Sequence, residues 1–193
     1  MNAVTSPKTE LRRQQILDAA SECFRKSGFH GASMAEIAKS FGMSCGHIYN
    51  YFDSKEAIIR ALVERDMEQT LERIASLKAE PDLFAGLMGR VDEGVQRRID
   101  NSSLDTEIMA EASRNETVAK VVQCTDSTIR QELQILLATI APPGLSDEQL
   151  AIRTTLLIAL FDGLMIRAIR DPGLQPEALG HTLRKLIGHL LSN

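Results

Sequence analysis

Apolar residues recur at three- and four-residue intervals along almost the whole chain, and no segment shows the β-branched alternation between turn residues that marks a strand. The pattern predicts an all-α protein of about nine helices. The first runs from about 9 to 26, with Ile16, Leu17, Ala20, Cys23 and Phe24 on one face and Gly28 as its stop. Beyond the loop Gly28-Phe29-His30-Gly31, Ser33 and Glu36 make a capping box for a second helix carrying Met34, Ile37, Ala38 and Phe41. Gly42 permits the left-handed backbone of a tight turn, and Ser44 can cap a short third helix ending at Tyr51 or Phe52. Asp53 and Glu56 repeat the capping pattern and open a long fourth helix that ends before Pro81.

Further amphipathic stretches are expected at about 82–100, 103–113 and 115–140, after which Pro142-Pro143-Gly144 imposes a break. Ser146 and Gln149 start the next helix, to about 170. From Ile152 to Ile169 it is apolar on nearly every face, so it is expected to pack on two sides. Asp171-Pro172-Gly173 ends it. The last helix, at about 176–191, presents Leu179, Leu183, Leu186, Ile187 and Leu190 as one stripe.

Residues 33–52 have the layout of a helix-turn-helix: a helix of two to three turns, a turn with glycine, and a short second helix rich in small and polar residues. Burial of Ile37, Ala38, Phe41 and Ile48 would hold the two helices at a steep angle and leave the other face of the second free for a major groove. Cys45, Gly46, His47 and Asn50 then point outward. His47 and Asn50 offer donors and acceptors to base edges, and Gly46 allows close approach. Tyr49, Tyr51 and Lys55 can reach phosphates, and Ser33 and Ser44 leave helix N-terminal amides near the backbone. Blander readings exist for single residues: Tyr49 packed on the long helix, Cys45 and Lys55 merely solvated.

Composition changes this picture little. Hydrophobic residues make up 44% and charged residues 25%, the balance of an ordinary globular protein with a real core. The net charge of -4 argues against binding nucleic acid through bulk basicity. Residues 1–60, however, hold eight Lys/Arg against six Asp/Glu, and the remainder fourteen against twenty, so a slightly basic head precedes an acidic body. Cys23, Cys45 and Cys124 are odd in number and far apart, as in reduced cytosolic proteins. The polar start of the chain and the interruption of 154–169 by Asp162 and Arg167 give no sign of a signal peptide or membrane span. A cytoplasmic location is expected.

The head, over roughly residues 12–60, resembles the TetR family of one-component regulators in Ile37-Ala38, Gly42-Met43-Ser44, Gly46, Ile48-Tyr49, Tyr51-Phe52 and Lys55. Segments 107–115 and Phe161-Asp162-Gly163-Leu164 look, more loosely, like body segments of that family. Cys45 and His47 depart from its pattern at positions where members differ, which bears on the operator sequence. The resemblance implies a helix-turn-helix DNA-binding domain over 1–53 and a larger ligand-binding and dimerisation domain over 54–193. It implies a homodimer joined through the helices at 146–170 and 176–191, repressing transcription from a palindromic double-stranded DNA operator until a small molecule enters the body.

That effector site is expected among helices four to eight, with Phe84, Met88, Met109 and Phe161 as apolar walls. Glu107, Glu111, Asp126 and Asp162 lie in partly apolar segments. Carboxylates facing such a pocket would favour a hydrophobic, cationic effector, as an efflux or catabolic regulator would sense. The alternative is that Glu111 pairs with Arg114 or a neighbouring helix and that Asp162 caps or pairs. No catalytic motif is present, the four histidines are scattered without metal-ligand spacing, and neither a cofactor nor enzymatic activity is expected. An all-α interaction protein, or an activator of the same fold, is the competing reading.

Overall fold

A computed structural model describes residues 6–192. Among these the chain is helical with connecting turns, in the order α1 (Pro7–Gly31), α2 (Met34–Ser40), α3 (Cys45–Ile48), α4 (Lys55–Lys78), α5 (Leu83–Gly89), α6 (Val91–Ala112), α7 (Glu116–Ala138), α8 (Asp147–Arg170) and α9 (Pro176–Ser192). The all-α class and the helix-turn-helix head followed by a helical body are therefore as the periodicity indicated.

Two compact units emerge from the packing. The first comprises the chain up to Arg65 together with Glu107–Val122, and the second comprises Asp66–Thr106 with the chain from Gln123 onward. In the first, the apolar face of α1 (Ile16, Leu17, Ala20, Phe24) is buried together with Ile37 and Ala38 of α2, Ile48 of α3, and Ile58, Ile59 and Leu62 of α4. The Phe24 and Phe29 rings meet there at 5.5 Å. In the second, Val91 and Val95 of α6, Leu137 of α7, Leu150, Leu157 and Leu164 of α8, and Leu183, Ile187 and Leu191 of α9 form one core. A smaller cluster joins Ile74 and Leu77 of α4 to Leu136 of α7.

Several boundaries differ from the sequence reading, for local reasons. The first helix does not stop at Gly28 but kinks there, with φ 70 and ψ 166, and runs on to Gly31. The fourth helix is capped by Ser54, whose Oγ accepts from the Ala57 N–H at 3.2 Å, not by an Asp53/Glu56 box. A hydroxyl one residue further on serves the freed amide equally well. No break separates 100 from 103. Polar Asn101-Ser102-Ser103 sits inside α6, where Thr106 Oγ1 donates to the Ser102 carbonyl at 2.7 Å and burial of Val95, Leu104 and Ile108 overrides weak propensity. The break falls instead at Arg90, whose guanidinium donates to the Arg73 carbonyl at 3.3 Å, to Glu80 at 2.9 Å and to Ser76.

Helix α8 leaves Ile152, Leu156, Ile166 and Ile169 39–53% exposed, and α9 leaves Leu186 47% exposed. Its apolar window, of mean hydropathy 1.5, is only 22% buried, so it is not the interior helix of an isolated chain. Its opposite face is a core face, and Ile187, at 1% exposure, is its counterpart on α9. Truncating Ile187 to Ala should cost about 2–5 kcal/mol, read as a lowered urea midpoint.

Candidate nucleic-acid interface

The turn between α2 and α3 is built by backbone bonds that the sequence places. Ser33 Oγ accepts from the Glu36 N–H at 3.1 Å while the Glu36 carboxylate accepts from the Ser33 N–H at 2.7 Å, closing the capping box. At the other end Gly42 takes φ 73, and the N–H groups of Gly42 and Met43 donate to the carbonyls of Lys39 and Ala38 at 3.1 and 2.8 Å. This is the Schellman pair of bonds around a left-handed residue, and it turns the chain sharply into α3. The Ser33 N–H donating to its carboxylate holds Glu36 below its ordinary pKa of 4.5, with the Ser33 hydroxyl adding to the effect.

Helix α3 has a single inward anchor, Ile48, with no exposed surface, followed by Phe52 at 3%. Around it Gly46, His47, Tyr49 and Asn50 are exposed, and Cys45 and Tyr51 are half-buried. A Cβ added at Gly46 would meet nothing within 4 Å, so the helix presents an open notch there. The His47 and Tyr51 rings stack at 6.1 Å. Ser33 is bonded within its box, and Ser44 takes the N-cap position without a side-chain capping bond. Tyr49 stands 49% exposed rather than packed on α4.

Lys55 departs from the phosphate-contact expectation. Its Nζ donates to the carbonyls of Phe29 and Ala32 at 2.7 and 2.6 Å and lies 4.6 Å from the Phe29 ring centroid. The kink in α1 leaves those carbonyls without helical partners, and a half-buried ammonium satisfies them. Arg13, by contrast, escaped the sequence reading. Its guanidinium donates to the Tyr51 carbonyl at 2.8 Å and lies 4.4 Å from the Phe52 ring, pinning the end of the reading segment to α1. The only sequence signal was a basic pair, Arg12-Arg13, near the start of an amphipathic helix.

The proposed effector residues are divided by the structure. Phe84, Met88 and Phe161 are half-buried together around the core of the second unit, where the Phe161 ring packs so closely on Gly94 that an added Cβ would stand 2.9 Å from it. Beside them Arg98 bridges Asp105 at 3.3 Å and Asp162 at 3.2 Å. Burial pushes both carboxyls above their ordinary values, against the pull of Arg98, and Asp126 raises Asp162 further. Glu107, Met109 and Glu111 belong to the first unit. Glu107 accepts from the Phe29 N–H at 3.0 Å, and Glu111 is bonded to His30, Arg114 and Asn115 at 3.0–3.1 Å. Burial alone would raise Glu111, but those donors and His30 hold it below its ordinary value. Met109 is 47% exposed. The two glutamates are thus bonded at the end of α1.

Residues 16–62 match the family model for bacterial regulatory proteins of the tetR family, and residues 89–192 match that for the C-terminal part of BetI-type transcriptional repressors. The HTH-type transcriptional regulator UidR of Escherichia coli K12 is 31% identical over 93% of each chain. The solved structure of Salmonella enterica GusR is 29% identical and superposes with a TM-score of 0.74, covering 98% of this chain and 99% of that one. Bacillus subtilis FadR, solved with stearoyl-CoA, shares the fold at 22% identity with a TM-score of 0.76, covering 93% of this chain and 97% of its own.

Two outcomes follow from the turn. Gly42→Ala should destabilise the protein by about 1–2 kcal/mol, because an L side chain must then adopt the left-handed region, and thermal unfolding measures it. The Glu36 carboxyl should titrate below 4.5 by NMR. Its folded pKa being depressed, its capping contribution is present above the ordinary value and is lost as pH falls through the lower one.

Proposed function

Because the chain belongs to the TetR family of bacterial transcriptional regulators, we propose that it is a homodimeric, effector-responsive repressor that reads a palindromic operator with α3. A small hydrophobic molecule entering the body releases it, and the controlled gene serves efflux or catabolism of that molecule. The observation that carries the reading is the polarity of α3: Ile48 is wholly buried while Gly46, His47 and Asn50 stand open on the other side. A four-residue helix with its one apolar residue committed to the core has no structural use for that face. His47 and Asn50 supply the base-edge chemistry, and Tyr49 with the exposed Lys39 supplies backbone contacts.

Dimerisation through α8 and α9 is supported by the stripe Ile152, Leu156, Ala159, Gly163 and Ile166. These five share one helical face, all exposed, and Gly163 meets nothing within 4 Å. Small residues at its centre let a second copy approach closely. A membrane is the weaker fit for α8, because Asp162 and Arg167 lie within it and its other face is a core face.

The effector reading is supported by Phe84, Met88 and Phe161 and by the Arg98 bridge beside them. With Glu107 and Glu111 engaged elsewhere, a cationic effector has Asp162 and Asp126 left to meet it, in the presence of Arg98. Regulators of this fold have been solved with ligands as unlike as stearoyl-CoA and choline, so the fold by itself sets no ligand class.

Selection from a random duplex pool at low salt should enrich a two-fold symmetric sequence, since high salt alone suppresses such binding. His47→Ala should relax preference at one base position of each half-site, at about 1–3 kcal/mol, with other positions unchanged. Failure to enrich any duplex would remove the operator reading. Leu156→Glu should convert the dimer to monomer in sedimentation and abolish tight binding to the selected duplex; a dimer that persists would place the interface elsewhere.

A further inference from the structure

The end of α1 is held in a way that packing alone does not require. At Gly28 the backbone leaves the helix, and the N–H of Phe29 finds its acceptor in the Glu107 carboxylate of α6, 3.0 Å away. The opposite side of the same peptide segment is taken by α4: Lys55 Nζ donates to the Phe29 and Ala32 carbonyls and covers the Phe29 ring. One turn beyond Glu107 on α6, Glu111 Oε2 lies 3.1 Å from His30 Nε2 and is itself oriented by Arg114 and Asn115. Helices α4 and α6 therefore converge on one residue of α1, Phe29, through charge-assisted bonds to its backbone. Gly28 is matched to this arrangement. A Cβ there would stand 3.2 Å from Glu107 Oε2, on a backbone whose φ of +70 already disfavours a side chain.

A charged group is a costly way to satisfy one amide, because an ionised carboxylate must be partly desolvated to do it. A serine or asparagine would satisfy the amide without a charge. What a carboxylate adds is a strong, directional bond that can be broken and remade without repacking a core. Its place along the chain is equally specific. Helix α6 is continuous from Val91 to Ala112. Its first turns carry Gly94, against the Phe161 ring, and Arg98, which holds Asp105 and Asp162; its last two turns carry Glu107 and Glu111. Lys55 likewise stands at the first turn of α4, whose far end contributes Ile74 and Leu77 to the second unit.

We propose that Glu107 is a positioning residue for DNA reading: by gripping the Phe29 N–H opposite Lys55, it ties the carriage of α3 to the state of α6. This rests on the operator-binding reading above. Its effect runs through Phe29 to α1, whose Arg13 pins Tyr51 and Phe52 behind the reading helix.

The test uses reciprocity and needs no knowledge of the effector. If α6 biases the head, then DNA on the head must bias α6 by the same free energy. Hydrogen exchange of residues 95–106 is measured on the full-length protein with and without the duplex it selects. In the wild type, duplex should change exchange in this stretch by about 5- to 150-fold, the usual span of allosteric coupling. Glu107→Leu, which removes the acceptor at similar volume, should lose most of that change, whereas Glu107→Gln, which keeps an acceptor oxygen, should retain it. Thermal midpoints are recorded alongside. A merely structural role would lower the midpoint and duplex affinity together and leave the α6 response intact, and that result overturns the proposal. So does a wild-type α6 that ignores the duplex. If Glu107→Leu fails to fold, Lys55→Met, which releases the opposite grip, is measured in the same way: loss of the α6 response supports the proposal and an intact response overturns it. Absence of any selected duplex would instead defeat the operator reading itself, so the two failures are distinct.

Discussion

A helix of four residues cannot sustain itself in water, because nucleation fixes several dihedrals for each hydrogen bond gained. The placing of α3 therefore depends on the forces that hold it from outside. Ile48 is driven into the core of the head, Gly42 supplies the left-handed step that sets the entry angle, and Arg13 ties down the carbonyl of Tyr51 just beyond the helix. These are three different kinds of force, and each acts on a different part of the segment: entry, middle and exit. What remains free, the face with Gly46, His47 and Asn50, is free because the anchors occupy the other side.

The same logic governs the larger part of the chain. Helices α4, α6 and α7 each contribute residues to both compact units. The contacts at their two ends differ in character. In the second unit the walls are apolar, Phe161 on Gly94 and Phe84 beside Gly188, and can exchange neighbours at little polar cost. In the first unit Lys55 of α4 and Glu107 of α6 grip backbone atoms at the end of α1 through an ammonium and a carboxylate, bonds that are either made or not made. Helices α8 and α9 are the complementary case. They join one unit only, and they leave apolar residues of a second face exposed.

Much of this is legible in the amino-acid sequence. The boxes Ser33/Glu36 and Ser146/Gln149, the turn glycine and the two-sided apolarity of α8 are all local signals, each carried within a few residues. The features that escaped are those settled by neighbours. Ser54 capped α4 in place of Asp53 because two adjacent residues both had the chemistry and only geometry could choose. Asn101-Ser102-Ser103 resembled a loop until burial on either side was known. Glu107 and Glu111, flanked by apolar residues, read in sequence equally well as a pocket wall or as a clamp, and their distant partners, Phe29 for Glu107 and His30 for Glu111, lie at the far end of α1, 78 residues from Glu107 in the first case. Lys55 was likewise an exposed-looking cation whose acceptors appear only once α1 kinks at Gly28.

Whether two copies of the α3 face read one duplex together is decided by hydroxyl-radical footprinting of the protein on its selected sequence. Two protected patches on the same side of the duplex, centred about 34–36 Å apart, are expected from paired heads in successive major grooves. A single protected patch, or uniform protection with no spacing, would contradict it.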